Sequence, residues 1–323
     1  MAKKRVVVIG GGTGNYQTLT GLKEHNLDLT AIVATTDDGG SSGRLREELG
    51  QLPLGDVRQC LIALANDNDA LVQLKELFGY RFNGAGGLSG HSFGNLALAA
   101  LTEITGDVPN AIAAASRLLR IQGQVIPVTL TNSILKARLQ NGTELVGESE
   151  IGQRYHDLDV PIESIYMEPK AFAFAPSLNA ILKADTIVIG PGDIYTSILP
   201  NLLVDGISEA IRNSKAQKVY VCNLMTKPGE STGFQASDFL RLVCKYLGYF
   251  EPLDYLLINN EKLNERQYKK YSSAGQQPVK LDIMNCKPLV GRVVALPLIS
   301  KNVYARHDPT KLSEALLTII NKP

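Results

Sequence analysis

A β-branched run, Val6-Val7-Val8-Ile9, stops abruptly at Gly10-Gly11-Gly12-Thr13-Gly14, and no other stretch constrains the fold as much. Four apolar residues without polar alternation suit a parallel strand covered by helices on both faces. Tyr16, Leu19 and Leu22 then recur at helical spacing, and residues 29–34 form a second apolar run. Strand, glycines, helix and strand together predict a right-handed βαβ unit.

The same rhythm returns in the second half. Strands are predicted at 186–190, 219–224, 255–259 and 293–298, with helices between them, notably 236–247 closed by Gly248. In the first half, Asp56 precedes a helical stripe of Val57, Cys60, Leu61 and Leu64. Gly90-His91-Ser92 leads into Phe93, Leu96, Ala97, Ala100, Leu101 and Ile104, closed by Gly106. Pro109 starts a further helix, expected to end at Gly123. Only residues 125–175 break the pattern: short runs at 125–130, 134–139 and 144–149, with an Asn141-Gly142 turn, read as antiparallel hairpins. The expected fold is α/β, a doubly wound, mostly parallel sheet with a β-rich insertion at about 125–175, in one domain spanning 1–323.

Several function classes drop out on composition. Thirty-three Lys and Arg against 32 Asp and Glu give a net charge of +1, so no overall field attracts nucleic acid or an anionic membrane surface. The apolar runs are strand-sized, far below the roughly 20 residues needed to cross a bilayer, and the start of the chain lacks a secretory signal pattern. A cytoplasmic protein is expected. Cys60, Cys222, Cys244 and Cys286 are widely separated, which argues for reduced, packed thiols rather than zinc or a redox pair.

The chemistry concentrates at predicted strand ends. A glycine cluster between strand and helix lets the backbone approach a phosphate, while the free N–H groups and dipole of the helix start favour its charge. Gly11, Gly12, Thr13, Gly14 and Asn15 are therefore ligand candidates. Asn15 occupies the third glycine position of the dinucleotide fingerprint, and no GxxxxGK[ST] occurs, so neither a standard NAD site nor a Walker ATP site is indicated.

After the second strand, Thr35-Thr36-Asp37-Asp38-Gly39-Gly40-Ser41-Ser42-Gly43-Arg44 places two carboxylates, two serines and an Arg at the sheet edge where ligands of open α/β sheets bind. Adjacent carboxylates can hold a hydrated Mg²⁺ bridging phosphate oxygens, or ribose hydroxyls. Asp56 is either a third carboxylate of this site or a helix N-cap. His91 and Asn95, at the start of the most regular helix, are either anion contacts or structural hydrogen-bonding groups. Gly190, Gly192 and Tyr195 follow a buried strand, and the two glycine loops are expected to face each other across a cleft. Residues 223–231, including Lys227, are either a lid or a connecting loop. Tyr271, in a basic helix, can stack a base, and Arg306 can clamp a diphosphate. A Ser-His-Asp hydrolase is excluded for want of a GxSxG elbow.

Taken together, GGGTGN, TTDDGGSSGRLR, GDVRQ, GHSFGNL, IGPGDIYTSILPNLLV and CNLMTKPGES closely resemble the YvcK-type gluconeogenesis factors, relatives of the CofD 2-phospho-lactate transferases. The resemblance runs from Val6 to Arg306-His307-Asp308. It implies a Rossmann-like fold, UDP-N-acetylglucosamine as ligand, and a regulatory role in cell shape and cell-wall metabolism under gluconeogenic growth, with protein partners in cell-wall synthesis and a homodimer as further expectations. It also implies UDP-sugar contacts at Tyr271, or at Tyr268 one turn earlier, and at Arg306. In the transferase branch, carboxylates matching Asp37 or Asp38 and Asp56 hold Mg²⁺ beside a guanine nucleotide. Asp38 and Asp56 are thus the candidate Mg²⁺ ligands, and a Mg²⁺-dependent transferase using Asp37, Asp38 and Asp56 is the alternative function. No deazaflavin-binding features accompany them.

Overall fold

A computed structural model describes residues 2–154, 156–248 and 253–322. Its seven-stranded sheet is parallel throughout, in the order β10-β9-β8-β7-β1-β2-β3. The strands are β1 (Lys4–Gly10), β2 (Leu27–Val33), β3 (Gln124–Pro127), β7 (Thr186–Ile189), β8 (Gln217–Val221), β9 (Leu253–Asn259) and β10 (Val290–Leu296). A small antiparallel sheet, β5-β4-β6, is built from β4 (Ile134–Leu139), β5 (Glu144–Val146) and β6 (Ile162–Glu168).

The uniform apolarity of β1 follows from this arrangement. Val6 and Val8 enter one buried cluster, with the helices Gly12–Leu22, Gly55–Leu64, Val108–Leu119 and Pro309–Ile320. Val7 and Ile9 enter the other, with Ala236–Leu247, Ile207–Asn213 and the inner face of the antiparallel sheet. Side chains alternate across a strand, so a strand buried on both faces can spare no position for a polar residue. A fully buried Val or Ile side chain contributes roughly 1.5–3 kcal/mol of transfer free energy.

The doubly wound prediction holds, with two local corrections. Residues 124–127 are not part of the hairpin region: β3 pairs in parallel with β2 at the sheet edge, and the antiparallel pairing begins at Ile134. Four residues carry no turn-to-turn information that separates the two arrangements; pairing with β2 decides. The helix Val108–Leu119 ends on Arg120, which itself takes the left-handed conformation (φ 46°), three residues before Gly123. Gly106 and Gly248 end their helices in that conformation as expected. All four cysteines are buried and free. Among the described residues no helix is long and apolar enough to cross a membrane.

The sheet reverses its order of addition at β1. From there β2 and β3 extend to one side, and β7, β8, β9 and β10 to the other. The carboxyl ends of β1 and β7 therefore mark the switch point, in whose crevice open α/β sheets bind ligands.

Candidate functional site at the sheet reversal

The glycine loop is set by its neighbours before any ligand is considered. Gly12 has φ 61° and starts the helix Gly12–Leu22. A methyl group on Gly11 would strike the Asp56 carboxylate, and one on Gly14 would strike the Pro191 carbonyl. The loop is thus clasped between Asp56 on the β2 side and Pro191-Gly192 on the β7 side. Part of the glycine signal reports protein packing, which the spacing of glycines cannot distinguish from room for a phosphate.

On the β7 side lies a cleft of about 210 Å³. Thr13, Gly14 and Gly192 line its floor, and Tyr271 and Arg306 its far wall. Local sequence explains how these distant residues arrive. Asn264 and Gln267 form a capping box that starts the helix Glu265–Ser272, and Gln267 also donates from Nε2 to the carbonyls of Ser300 (2.9 Å) and Asn302 (2.7 Å). The helix carrying Tyr271 is thereby tied to the segment carrying Arg306. That segment is held by Ser300 N donating to Arg306 O (2.9 Å) and by Asp308, whose carboxylate caps the last helix. Tyr271 faces the cleft, whereas Tyr268 is 57% exposed and outside it. The Arg306 guanidinium lies 5.3 Å from the Tyr304 ring centroid.

Further residues join the cleft, some from the segment 223–231 and others without any signal in the sequence. Asn223 joins the two adjacent strand ends through Nδ2 donating to Gly192 O (2.6 Å). Lys227, in the segment read as either a lid or a loop, pairs with Asp193 (2.7 Å) and Glu230 (2.6 Å). Burial opposes its charge, but these carboxylates outweigh it and hold the ammonium above the ordinary lysine range. Glu230 is buried, and burial carries its carboxyl up to about 7 despite Lys227. Burial brings His307 down to about 4, so its imidazole is neutral in the cleft wall. Gln17, on the first helix, and Gln276, in a loop, also line the space; a lone glutamine carries no distinguishing signal.

On the β2 side the character changes to acidic. Asp56 is the second residue of the helix Gly55–Leu64, whose N-cap is Leu54; it is not the cap. Its carboxyl accepts from the Gly12 backbone N–H, while burial and the nearby Asp37 raise it to about 7. Asp37 Oδ1 accepts from Gly39 N (2.9 Å) and Asp38 Oδ1 from Ser149 N (2.7 Å). A fourth carboxyl, Glu148, comes from the antiparallel insertion and accepts from the Thr36 hydroxyl. Burial, then Asp56, pushes it well above the ordinary glutamate range. Nothing in the sequence near Glu148 announces this, because more than a hundred residues separate it from Thr36.

Other expected contacts are spent on one another. Ser41 Oγ bonds His91 Nδ1 (3.2 Å) and accepts from Ser92 N (3.2 Å). Asn95 Nδ2 donates to Ser42 Oγ (3.1 Å), and its Oδ1 accepts from the buried Arg58 Nε (2.8 Å). Arg44 donates to Ser89 O (2.7 Å). These bonds stitch the helices Gly40–Leu49 and Phe93–Thr105 together, and burial with Arg44 and Arg81 nearby keeps His91 below its ordinary pKa. Asn15 differs: it is fully buried beside Gly10 and Cys60, and neither its Nδ2 nor its Oδ1 has a hydrogen-bond partner among the described residues. Tyr195 belongs to the core, and Gly190 shapes the turn with φ 78°.

The acidic side suits a Mg²⁺ held jointly with phosphate. Asp37 raises the Asp56 carboxyl, and Asp56, Asp37 and Asp38 raise that of Glu148, a repulsion that a cation would relieve, yet no group of three or more His, Cys, Asp or Glu is gathered as a closed metal shell among the described residues. Mg²⁺ commonly takes one or two carboxylates and completes its shell with water and substrate oxygens.

Residues 6–299 match the family model described as 2-phospho-L-lactate transferase CofD. The chain belongs to the CofD family. Among CofD-family relatives, a protein named gluconeogenesis factor from Halalkalibacterium halodurans is 44% identical over 98% of this chain and 97% of its own. The gluconeogenesis factor of Bacillus subtilis is 40% identical over 99% of each. A crystal structure of a Bacillus halodurans protein superposes with a TM-score of 0.92 at 43% identity, covering 98% of this chain and 100% of that one. The CofD-family fold thus accounts for the whole sheet, including the crevice.

Proposed function

We propose that this protein binds a UDP-sugar, UDP-N-acetylglucosamine, as a regulatory ligand and does not turn it over, acting in the cytoplasm on cell shape and cell-wall metabolism under gluconeogenic growth. The observation that carries the reading is the joining of a glycine loop at a helix start to an aromatic ring and a guanidinium across one cleft. The loop at Thr13-Gly14 faces the diphosphate with backbone N–H groups; Tyr271 stacks the base and Arg306 anchors the anionic or carbonyl groups beside it. The name gluconeogenesis factor borne by the relatives fits this role. A sensor of a metabolite reports through another protein, so a partner in cell-wall synthesis belongs to the proposal.

The carboxylates on the β2 side favour a second reading, a Mg²⁺-dependent transferase acting on a nucleoside-diphosphate-linked donor. Asp38 and Asp56, with Asp37 beside them, would hold the ion, which would neutralise charge on a leaving diphosphate. Asp37, Asp38 and Asp56 are then the residues whose loss abolishes transfer.

Calorimetric titration with UDP-N-acetylglucosamine, GTP and GDP, each with and without Mg²⁺, separates the two. UDP-sugar binding without product formation is expected. Mg²⁺-dependent guanine-nucleotide binding with a transferred phosphoryl group would replace the regulator by the transferase.

A further inference from the structure

A second cavity of about 590 Å³ lies beyond the ends of β8, β9 and β10, within the range usual for small-molecule sites. A two-stranded wall separates it from the first cleft: Thr226 N donates to Gln277 O (2.7 Å) and Val279 N to Leu224 O (3.0 Å). Asn223 and Leu224 border both spaces. Its body is apolar, formed by Ile258, Leu263, Val279, Leu281 and Ile299 with Leu224.

The polar groups at its rim decide what it accepts. Asn259 is spent: Nδ2 donates to Glu261 O (2.7 Å), and Oδ1 accepts from Glu261 N (3.2 Å) and Leu298 N (2.9 Å). Asn260 Nδ2 donates to Ala295 O (3.1 Å). Glu261 is neutralised by Lys311 (2.9 Å). Lys262 and Lys280 also line the cavity, and neither has a carboxylate within ion-pair distance among the described residues. The free charged handles are therefore two ammonium groups beside an apolar chamber, with Tyr268 also at its rim.

We propose that this cavity is a second small-molecule site, taking an amphiphile with an apolar or aromatic body and one anionic group, which seats its body among Leu263, Val279 and Ile299 and its anion between Lys262 and Lys280. Because the wall is shared, occupancy shifts the affinity of the first cleft; only this coupling rests on the UDP-sugar reading.

The probe is 8-anilinonaphthalene-1-sulfonate, followed by fluorescence on the full chain, with its uncharged analogue N-phenyl-1-naphthylamine in parallel. One saturable sulfonate site per chain is expected. Leu263→Trp, a loop change that fills the chamber, should remove it, while Arg306→Ala in the other cleft should leave it unchanged. The double variant K262E/K280E, which keeps the chamber's shape, should weaken the sulfonate about fivefold to tenfold and leave the uncharged dye unaffected. No saturable binding, or binding indifferent to Leu263→Trp, overturns the site; equal losses of both dyes in K262E/K280E overturn the assigned anion. Titration of UDP-N-acetylglucosamine alone reports on the first cleft independently, and an affinity that the sulfonate leaves unchanged overturns the coupling.

Discussion

The two sides of the glycine loop are built from opposite electrostatic logic. Towards β7, the carboxylates have a counter-charge, Lys227 sitting between Asp193 and Glu230, and an exposed cation, Arg306, faces the cleft. Towards β2, half-buried Asp56 and Glu148 stand near Asp37 and Asp38: burial and Asp37 raise the Asp56 carboxyl, and burial, Asp56, Asp37 and Asp38 raise that of Glu148. One crevice therefore holds a side whose carboxylates are matched by a cation and a side whose carboxyls are held against their own repulsion. Such repulsion is a cost in stability, and positions that bear it are where a cation or a proton is expected to enter.

The largest effect should come from destroying the boundary between the two sides. Gly14→Ala drives a methyl group into the Pro191 carbonyl; backbone has nowhere to retreat, so a loss of about 2–4 kcal/mol in thermal unfolding and no measurable nucleotide binding are expected. Retained binding would mean that the two loops separate easily and that their close approach is incidental.

Next comes the charge on the β2 side. Burial and Asp37 raise the Asp56 carboxyl to about 7 from its ordinary value of 3.8, so the folded state binds the extra proton between those values. Stability then falls as pH rises from about 4 to 7 and levels off above. Asp56→Asn keeps an acceptor for the Gly12 N–H and removes the charge; at pH 8 it should be more stable than the parent by about 2–4 kcal/mol, and the advantage should vanish towards pH 4. A variant less stable than its parent at pH 8 would show that Asp56 is a net stabilising anion. If Mg²⁺–nucleotide binds here, it should release protons near pH 7, visible as a calorimetric enthalpy that varies with the buffer's ionisation enthalpy.

Smaller effects belong to the β7 side. Arg306→Ala should weaken UDP-N-acetylglucosamine about tenfold to a hundredfold, and Tyr271→Ala about fivefold to a hundredfold through lost stacking. Tyr268→Ala should change affinity less than twofold, since that ring lies outside the cleft. Equal losses for Tyr268 and Tyr271 would place the base elsewhere.

Much of the fold was legible in the sequence because its signals are local. A strand buried on both faces is apolar along its buried length, as 6–9 and 187–189 are, and a helix end in the left-handed conformation selects glycine, as at 106 and 248. The glycine loops, Asp37 and Asp38 could be singled out for the same reason, residue types with specific chemistry standing where strands end, whereas Tyr271, on a helix, and Arg306 were singled out by the resemblance to the gluconeogenesis factors.

Tertiary structure decided the rest, because contacts between distant segments leave no mark at either. It placed Glu148 against Thr36, turned Ser41, Ser42, His91 and Asn95 onto one another, set Asp56 beneath Gly11, and drew Asn223, Lys227 and His307 into the cleft wall. A polar side chain's role depends on which partner reaches it first, and only the folded chain settles whether that partner is a ligand or another residue.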